Sequence, residues 1–100
     1  MNIYALSSGR GPSGIAIVRI SGKGTLQVCK NITQLKELKS NEVNYCKFYE
    51  PNSNNIIDPE ALLLWFPAPN SYTGDDLAEF QVHGSNAVIS ALLKTLSEQD

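Results

Sequence analysis

The stretch Gly14-Ile15-Ala16-Ile17-Val18-Arg19-Ile20-Ser21-Gly22, GIAIVRISG, decides the fold class. Its β-branched residues lie between glycines, which predicts a strand over Ile15–Ile20. The run is nearly all apolar, so the strand is expected to be buried on both faces. Arg19 is the exception. On the N-terminal side, Ile3–Leu6 reads as a short edge strand, joined by a turn-rich loop, SSGRGPSG, over Ser7–Gly14.

On the C-terminal side, Thr25 is the expected N-cap of a helix running through Leu26, Val28, Cys29 and Ile32. Lys30–Asn44 is polar with leucines at 35 and 38, and reads equally as a second short helix or a long connection. Tyr45–Tyr49 alternates as a strand, and Glu50–Asn55 is a turn. Ile56 and Ile57 pair across it, and Ala61–Phe66 (ALLLWF) reads as a buried central strand. Pro67–Gly74 is a second irregular loop. In Leu77–Val82, Leu77, Glu79 and Gln81 fall on one face, and Ala78, Phe80 and Val82 on the other. Asn86–Leu96 places Val88, Ile89, Leu92, Leu93 and Leu96 on one helical stripe behind Ser85 as N-cap. That stripe reads as core packing, with a dimer face as the second possibility.

The expected fold is α+β: a mixed β-sheet with helices packed on one face, in a split βαβ-like plan. Such a plan calls for another strand after the last helix, so the 100 residues read as a fragment of a longer protein.

Composition narrows the function. With 42% hydrophobic and 18% charged residues, wholesale disorder is excluded. The net charge is -2 and the arginines are Arg10 and Arg19, so autonomous nucleic-acid binding is disfavoured, because phosphate contacts need clustered cations. Cys29 and Cys46 form no CxxC or Cys/His cluster, which argues against structural zinc and for free thiols in a reducing compartment. The N-terminus lacks a basic n-region and a long apolar run. The longest apolar run, Ala61–Pro69, falls far short of the ~20 residues that span a bilayer. A soluble, cytoplasmic protein is expected.

Few residues invite chemistry. Gly9–Gly14, GRGPSG, offers backbone N–H groups to an anion or is simply a sharp connection between strands; it is neither a P-loop nor a dinucleotide fingerprint. Arg19 needs a partner if buried, and its planar fork suits a carboxylate. A structural salt bridge and an edge position that snorkels to water are the alternatives. Asp75, Asp76 and Glu79 form an acidic cluster beside a glycine-bearing loop, without EF-hand spacing, and read as solvated loop acids. Glu79 differs because it lies within a strand. A carboxylate there accepts two parallel hydrogen bonds from an amidine-like N–H/NH₂ edge, as on a pterin or guanine ring, or is merely the polar alternate of a wet sheet face. His83, the lone histidine, reads as a hydrogen-bonded structural residue, and no Ser/His/Asp or Cys/His signature accompanies it.

Two strings carry a resemblance: SGRGPSGIAIVRISG, Ser8–Gly22, and LLLWFPAPNSYTGDDLAEFQVHGS, Leu62–Ser85. They resemble the N-terminal domain of the tRNA-modification GTPases called MnmE or TrmE, with its PGxGGIGIIRISG-like and WFPxPxSFTGEDxxExxxHGG segments. Residues 30–55 carry no family motif. Ser85 replaces the second glycine of HGG, and Asp75 stands where Glu is usual.

The resemblance implies that residues 1–100 are an N-terminal folate-binding and dimerisation domain, similar to the folate-binding domain of aminomethyltransferases. It implies a tetrahydrofolate one-carbon derivative, 5-formyl- or methylene-tetrahydrofolate, as cofactor. It places folate contacts on Arg19 and Glu79, with no catalytic or metal-binding residue in this chain. It also implies a homodimer and a full-length protein with helical and G domains. GTP, magnesium and potassium would belong to that G domain, so this chain alone should show no activity. With the flavin-dependent partner MnmG or GidA, such a protein modifies carbon 5 of the wobble uridine of certain tRNAs. The alternative is a dimerisation module that does not bind folate.

Overall fold

The strand GIAIVRISG is buried on one face only. The computed structural model describes residues 3–6, 14–69 and 74–99. Strand β1 spans Ile3–Leu6 and β2 spans Ile15–Ser21, where buried and half-exposed positions alternate after Ile15. The expected burial on both faces is therefore corrected: Ala16, Val18 and Ile20 enter the core, while Ile17 and Arg19 stay half-buried.

Helix α1 spans Thr25–Thr33. Gly24, not Thr25, is its N-cap, and no side chain caps it. Thr25 lies one position further in and is fully buried. Residues 34–42 form a connection, with Gln34 (φ 59°) and Asn41 (φ 60°) turning through the left-handed region. Buried Asn44 holds this connection: its carboxamide accepts from Lys39 N–H at 2.8 Å and donates to Lys39 O at 3.0 Å and Leu63 O at 3.2 Å.

Strand β3 covers Val43–Tyr49, β4 Ile56–Phe66 and β5 Leu77–His83; α2 covers Asn86–Glu98. Ser85 caps α2 by accepting from Val88 N–H at 3.2 Å. Strand β4 is one eleven-residue strand rather than two pieces. It runs through Pro59 because the pairing with β3 shifts register there, between the pairs Cys46–Ala61, Phe48–Asp58 and Tyr49–Ile56. The extra residues lie on β4, so its missing N–H falls at a bulge.

The sheet order is β1-β2-β5-β4-β3. Every strand pair is antiparallel, and the parallel contact among the described residues is an isolated bridge between Ser40 and Trp65. The expected mixed sheet is thus antiparallel. Strand β3 runs opposite to β2 because residues 34–42 reverse the direction that a direct βαβ crossover would have kept. Strands β2 and β4 run the same way, but β5 lies between them.

Both helices cover one face. Helix α1 packs on β3 and β5, and α2 on β4 and β5. Ile89, Leu92 and Leu96 of α2 are buried there with Val28, Cys29 and Ile32 of α1, which settles the α2 stripe as core packing. Phe48 and Phe80 meet edge to face at 5.3 Å and 75° in the middle of this layer.

Candidate functional site

The other sheet face carries the polar groups. Register sets them in rows: Arg19 opposite Glu79 opposite Leu64, and Ile17 opposite Gln81 opposite Leu62. The next row beyond the charged pair joins Ser21, Leu77 and Phe66. A cation and an anion are therefore held in the middle of a largely aliphatic surface. Alternation alone dictates this, because Arg19 and Glu79 have the opposite parity to the core residues of their strands.

Arg19 Nε donates to Glu79 Oε1 at 2.8 Å. Gln81 Nε2 donates to Glu79 Oε2 at 3.0 Å. The Glu79 side chain is 13% exposed and that of Arg19 42%. Each Glu79 oxygen thus holds one donor of its own chain. A carboxylate offers about four acceptor positions, and the described residues fill two of them. The ion pair and the amide fix the plane of the carboxylate within a half-buried part of that face. Sequence reasoning picked out both charges but not Gln81, whose place two residues after Glu79 on the same face was the available signal.

The far end of β5 holds a second acid–base pair. His83 Nδ1 lies 2.9 Å from both oxygens of Asp58. The same carboxylate accepts from His83 N–H at 2.8 Å and from Glu60 N–H at 3.0 Å. Asp58 is fully buried and the His83 ring is 60% exposed. The Asp58 hydrogen bond and charge raise the His83 pKa above its usual 6.5, aided by Glu60 and opposed by slight desolvation. The structural reading of His83 is right. Asp58 was overlooked, and the signal was the Asp58-Pro59 step within an apolar stretch. The bulged register at Pro59 re-aims the acid so that it caps two backbone donors.

Gly84 ties this end to the glycine-rich loop. Its N–H donates to Gly14 O at 2.6 Å, and a Cβ at Gly84 would meet that oxygen at 3.0 Å. Gly14 itself has φ +71°, a conformation few side chains tolerate. The remainder of the loop, Gly9–Ser13, lies outside the described residues.

The other candidates fall elsewhere. Asp75 is exposed, and Asp76 accepts from Ala68 N–H at 2.9 Å. Among the described residues no group of three or more His, Cys, Asp or Glu is placed to hold a metal. Cys29 and Cys46 are free thiols. Burial pushes the Cys46 thiol up to about 11 and Cys29 higher still. No helix among the described residues is long and apolar enough to cross a membrane.

The family model described as the N-terminus of the GTP-binding protein TrmE matches residues 2–100. The chain is 50% identical to a tRNA modification GTPase MnmE of Pelagibacter ubique, over 98% of this chain and 22% of that protein. It is 46% identical to the protein of the same name from Zymomonas mobilis, over 96% of this chain and 22% of the relative. For the Wolbachia pipientis protein of that name the identity is 44%, over 96% and 21%. The chain spans about a fifth of the length of these curated relatives. By motif order and by match over nearly its whole length, the chain belongs to the TrmE N-terminal family.

Proposed function

We propose that this chain is the tetrahydrofolate-binding and dimerisation domain of a tRNA-modification GTPase. In this reading the whole protein works in the cytoplasm as a homodimer with an MnmG or GidA partner, on carbon 5 of the wobble uridine of certain tRNAs. GTP, magnesium and potassium belong to other parts of that protein, since this chain holds no GxxxxGK[ST] loop.

The observation that carries the reading is the Arg19–Glu79 pair in the middle of a face that neither helix covers. The donor set fits the cofactor. The acceptor positions that the described residues leave on Glu79 match the N–H/NH₂ edge of a pterin, and half-buried Ile17, Leu62 and Leu64 supply apolar surface for a flat ring. Arg19 and Gln81 each hold one oxygen of the Glu79 carboxylate and so fix its orientation. When bound, the folate would supply a one-carbon unit for the uridine.

Titration with 5-formyltetrahydrofolate tests this. Glu79→Gln turns one acceptor into a donor facing a ring N–H, a mismatch of about 1–3 kcal/mol, so affinity should fall roughly 5- to 150-fold. Arg19→Lys should also weaken binding, because an ammonium lacks the fork. Far-UV circular dichroism should not change. Equal affinity of Glu79→Gln and parent would leave the carboxylate a mere polar alternate.

The aliphatic rows themselves favour a second reading, a dimerisation module without folate. Light scattering of the chain should give about twice 10.9 kDa. A dimer in which no folate binds would support the second reading over the first.

A further inference from the structure

Cys29 and Cys46 take no part in the site described above, yet the fold sets them against each other. Cys29 is the middle residue of α1 (Thr25–Thr33), and Cys46 is the middle residue of β3 (Val43–Tyr49). Helix α1 packs chiefly on β3, with Cα atoms of the two elements within 8 Å of each other. Parity turns Cys46 toward that helix: it alternates with exposed Tyr45 and Lys47 and falls in step with buried Asn44 and Phe48. Both cysteines belong to the apolar layer between helices and sheet, Cys29 inside it and Cys46 packed against it.

The two thiols differ in access. Cys46 is half-buried, and its Sγ lies 3.6 Å from the carbonyl oxygen of Asn44. Cys29 is fully buried. A reagent in solution therefore meets Cys46 first, and acts on Cys29 only through Cys46. Burial pushes both thiols up, so both are protonated at neutral pH and exchange slowly. Charge on Cys46 pushes Cys29 further in the same direction, as expected of two sulfurs within electrostatic reach.

The chain between them contains the connection 34–42, which sets the direction of β3. Lys39 N–H donates to Asn44 there at 2.8 Å, and Asn41 N–H to Trp65 O at 2.7 Å. A bridge from residue 29 to residue 46 would close this connection into a covalent loop. A disulfide needs Cα atoms about 4.4–6.8 Å apart, so forming one draws α1 and β3 together.

We propose that Cys29 and Cys46 are a redox pair: a low-molecular-weight disulfide converts them into an intramolecular bridge that staples α1 to β3, and thiols reopen it. Cys46, as the thiolate, attacks the small disulfide and displaces one thiolate. The Cys29 sulfur, on losing its proton, attacks the Cys46 sulfur and displaces the second. The two cysteines give up two electrons and two protons, and one small disulfide becomes two thiols.

The test incubates the folded chain with glutathione disulfide at about pH 8.5, where exchange is faster. The intact mass should fall by two hydrogens with no glutathione retained. Peptide mapping without reductant should join residues 29 and 46, and dithiothreitol should reverse both results. The bridged chain should unfold at a urea midpoint about 1–2 M above that of the reduced chain. Cys29→Ser should stop with one glutathione on Cys46, and Cys46→Ser should take up none. The measurement on the parent needs neither variant, so it decides even if Cys29→Ser fails to fold. A parent that keeps glutathione on Cys46, keeps both thiols, or joins two chains through Cys46 overturns the pair. A bridge that fails to raise the urea midpoint overturns the staple, and Cys46→Ser that takes up glutathione on Cys29 overturns the order of attack.

Discussion

Strand β5 carries two acid–base pairs, one in its middle and one at its end, and they are built differently. In the middle, Glu79 meets the side chains of Arg19 and Gln81 among the described residues. At the end, Asp58 is fully buried and is tied to two backbone N–H groups as well as to a ring. A half-buried carboxylate bound to side chains can exchange partners with a ligand at small cost. One bound to backbone and shielded from water cannot, because its loss strands donors that nothing else satisfies. The same residue chemistry therefore reads as reception in one place and as scaffold in the other.

The largest expected effect tests the scaffold. Asp58→Ala removes the acceptor for His83 N–H and Glu60 N–H and should cost about 2–4 kcal/mol. In a domain of this size the melting temperature should fall by roughly 10–20 °C. Asp58→Asn, which keeps one acceptor oxygen, should lose less. If Asp58→Ala melted with the parent in a calorimetric scan, the two pairs would not differ in kind.

Gly84→Ala comes next. The added methyl would press on the Gly14 carbonyl at 3.0 Å, a backbone atom that cannot swing away. Overpacking of this sort costs about 1–3 kcal/mol, to be read from the urea midpoint. An unchanged midpoint would show that the end of β5 is looser than its hydrogen bonds suggest.

The middle pair should matter far less to stability. A double-mutant cycle on Arg19 and Glu79 should return a coupling of about 0.5–1 kcal/mol, as for other partly exposed ion pairs. The same single variants should show their large effect in folate titration. A coupling of several kcal/mol would make this pair a second scaffold and sharpen the comparison against the proposed site.

Much of this was legible in the sequence, for reasons of parity. Arg19 and Glu79 stood out because each interrupts an apolar strand, and period-two alternation puts both on the face opposite Ala78 and Phe80. The α2 stripe and its Ser85 cap were readable because helical spacing and capping are local. Three features were not legible. Burial of GIAIVRISG on both faces was over-read, since an apolar run does not say how many layers cover it. The antiparallel sheet depends on residues 34–42, whose reversal rests on Asn44 reaching Lys39 and Leu63, and polar composition does not encode that. The Asp58–His83 pair joins residues 25 apart through a bulge, and bulges are set by pairing between strands.

The smallest effect is the most specific to the end pair. Asp58 raises the His83 pKa in the folded protein above its usual 6.5. A raised folded-state value means that protonated His83 stabilises the native state. That contribution is fully present below about pH 6.5 and is lost as the pH rises through the folded value. The advantage of the parent over His83→Gln in urea midpoint should therefore be larger near pH 5.5 than near pH 8.5. It stays small throughout, because the ring is 60% exposed and solvent screens its charge. Asp58 keeps its two backbone donors in both proteins, so the comparison isolates the imidazole from the scaffold. A difference that stayed flat between about pH 5.5 and about pH 8.5 would mean that the ring contributes only a neutral hydrogen bond to Asp58.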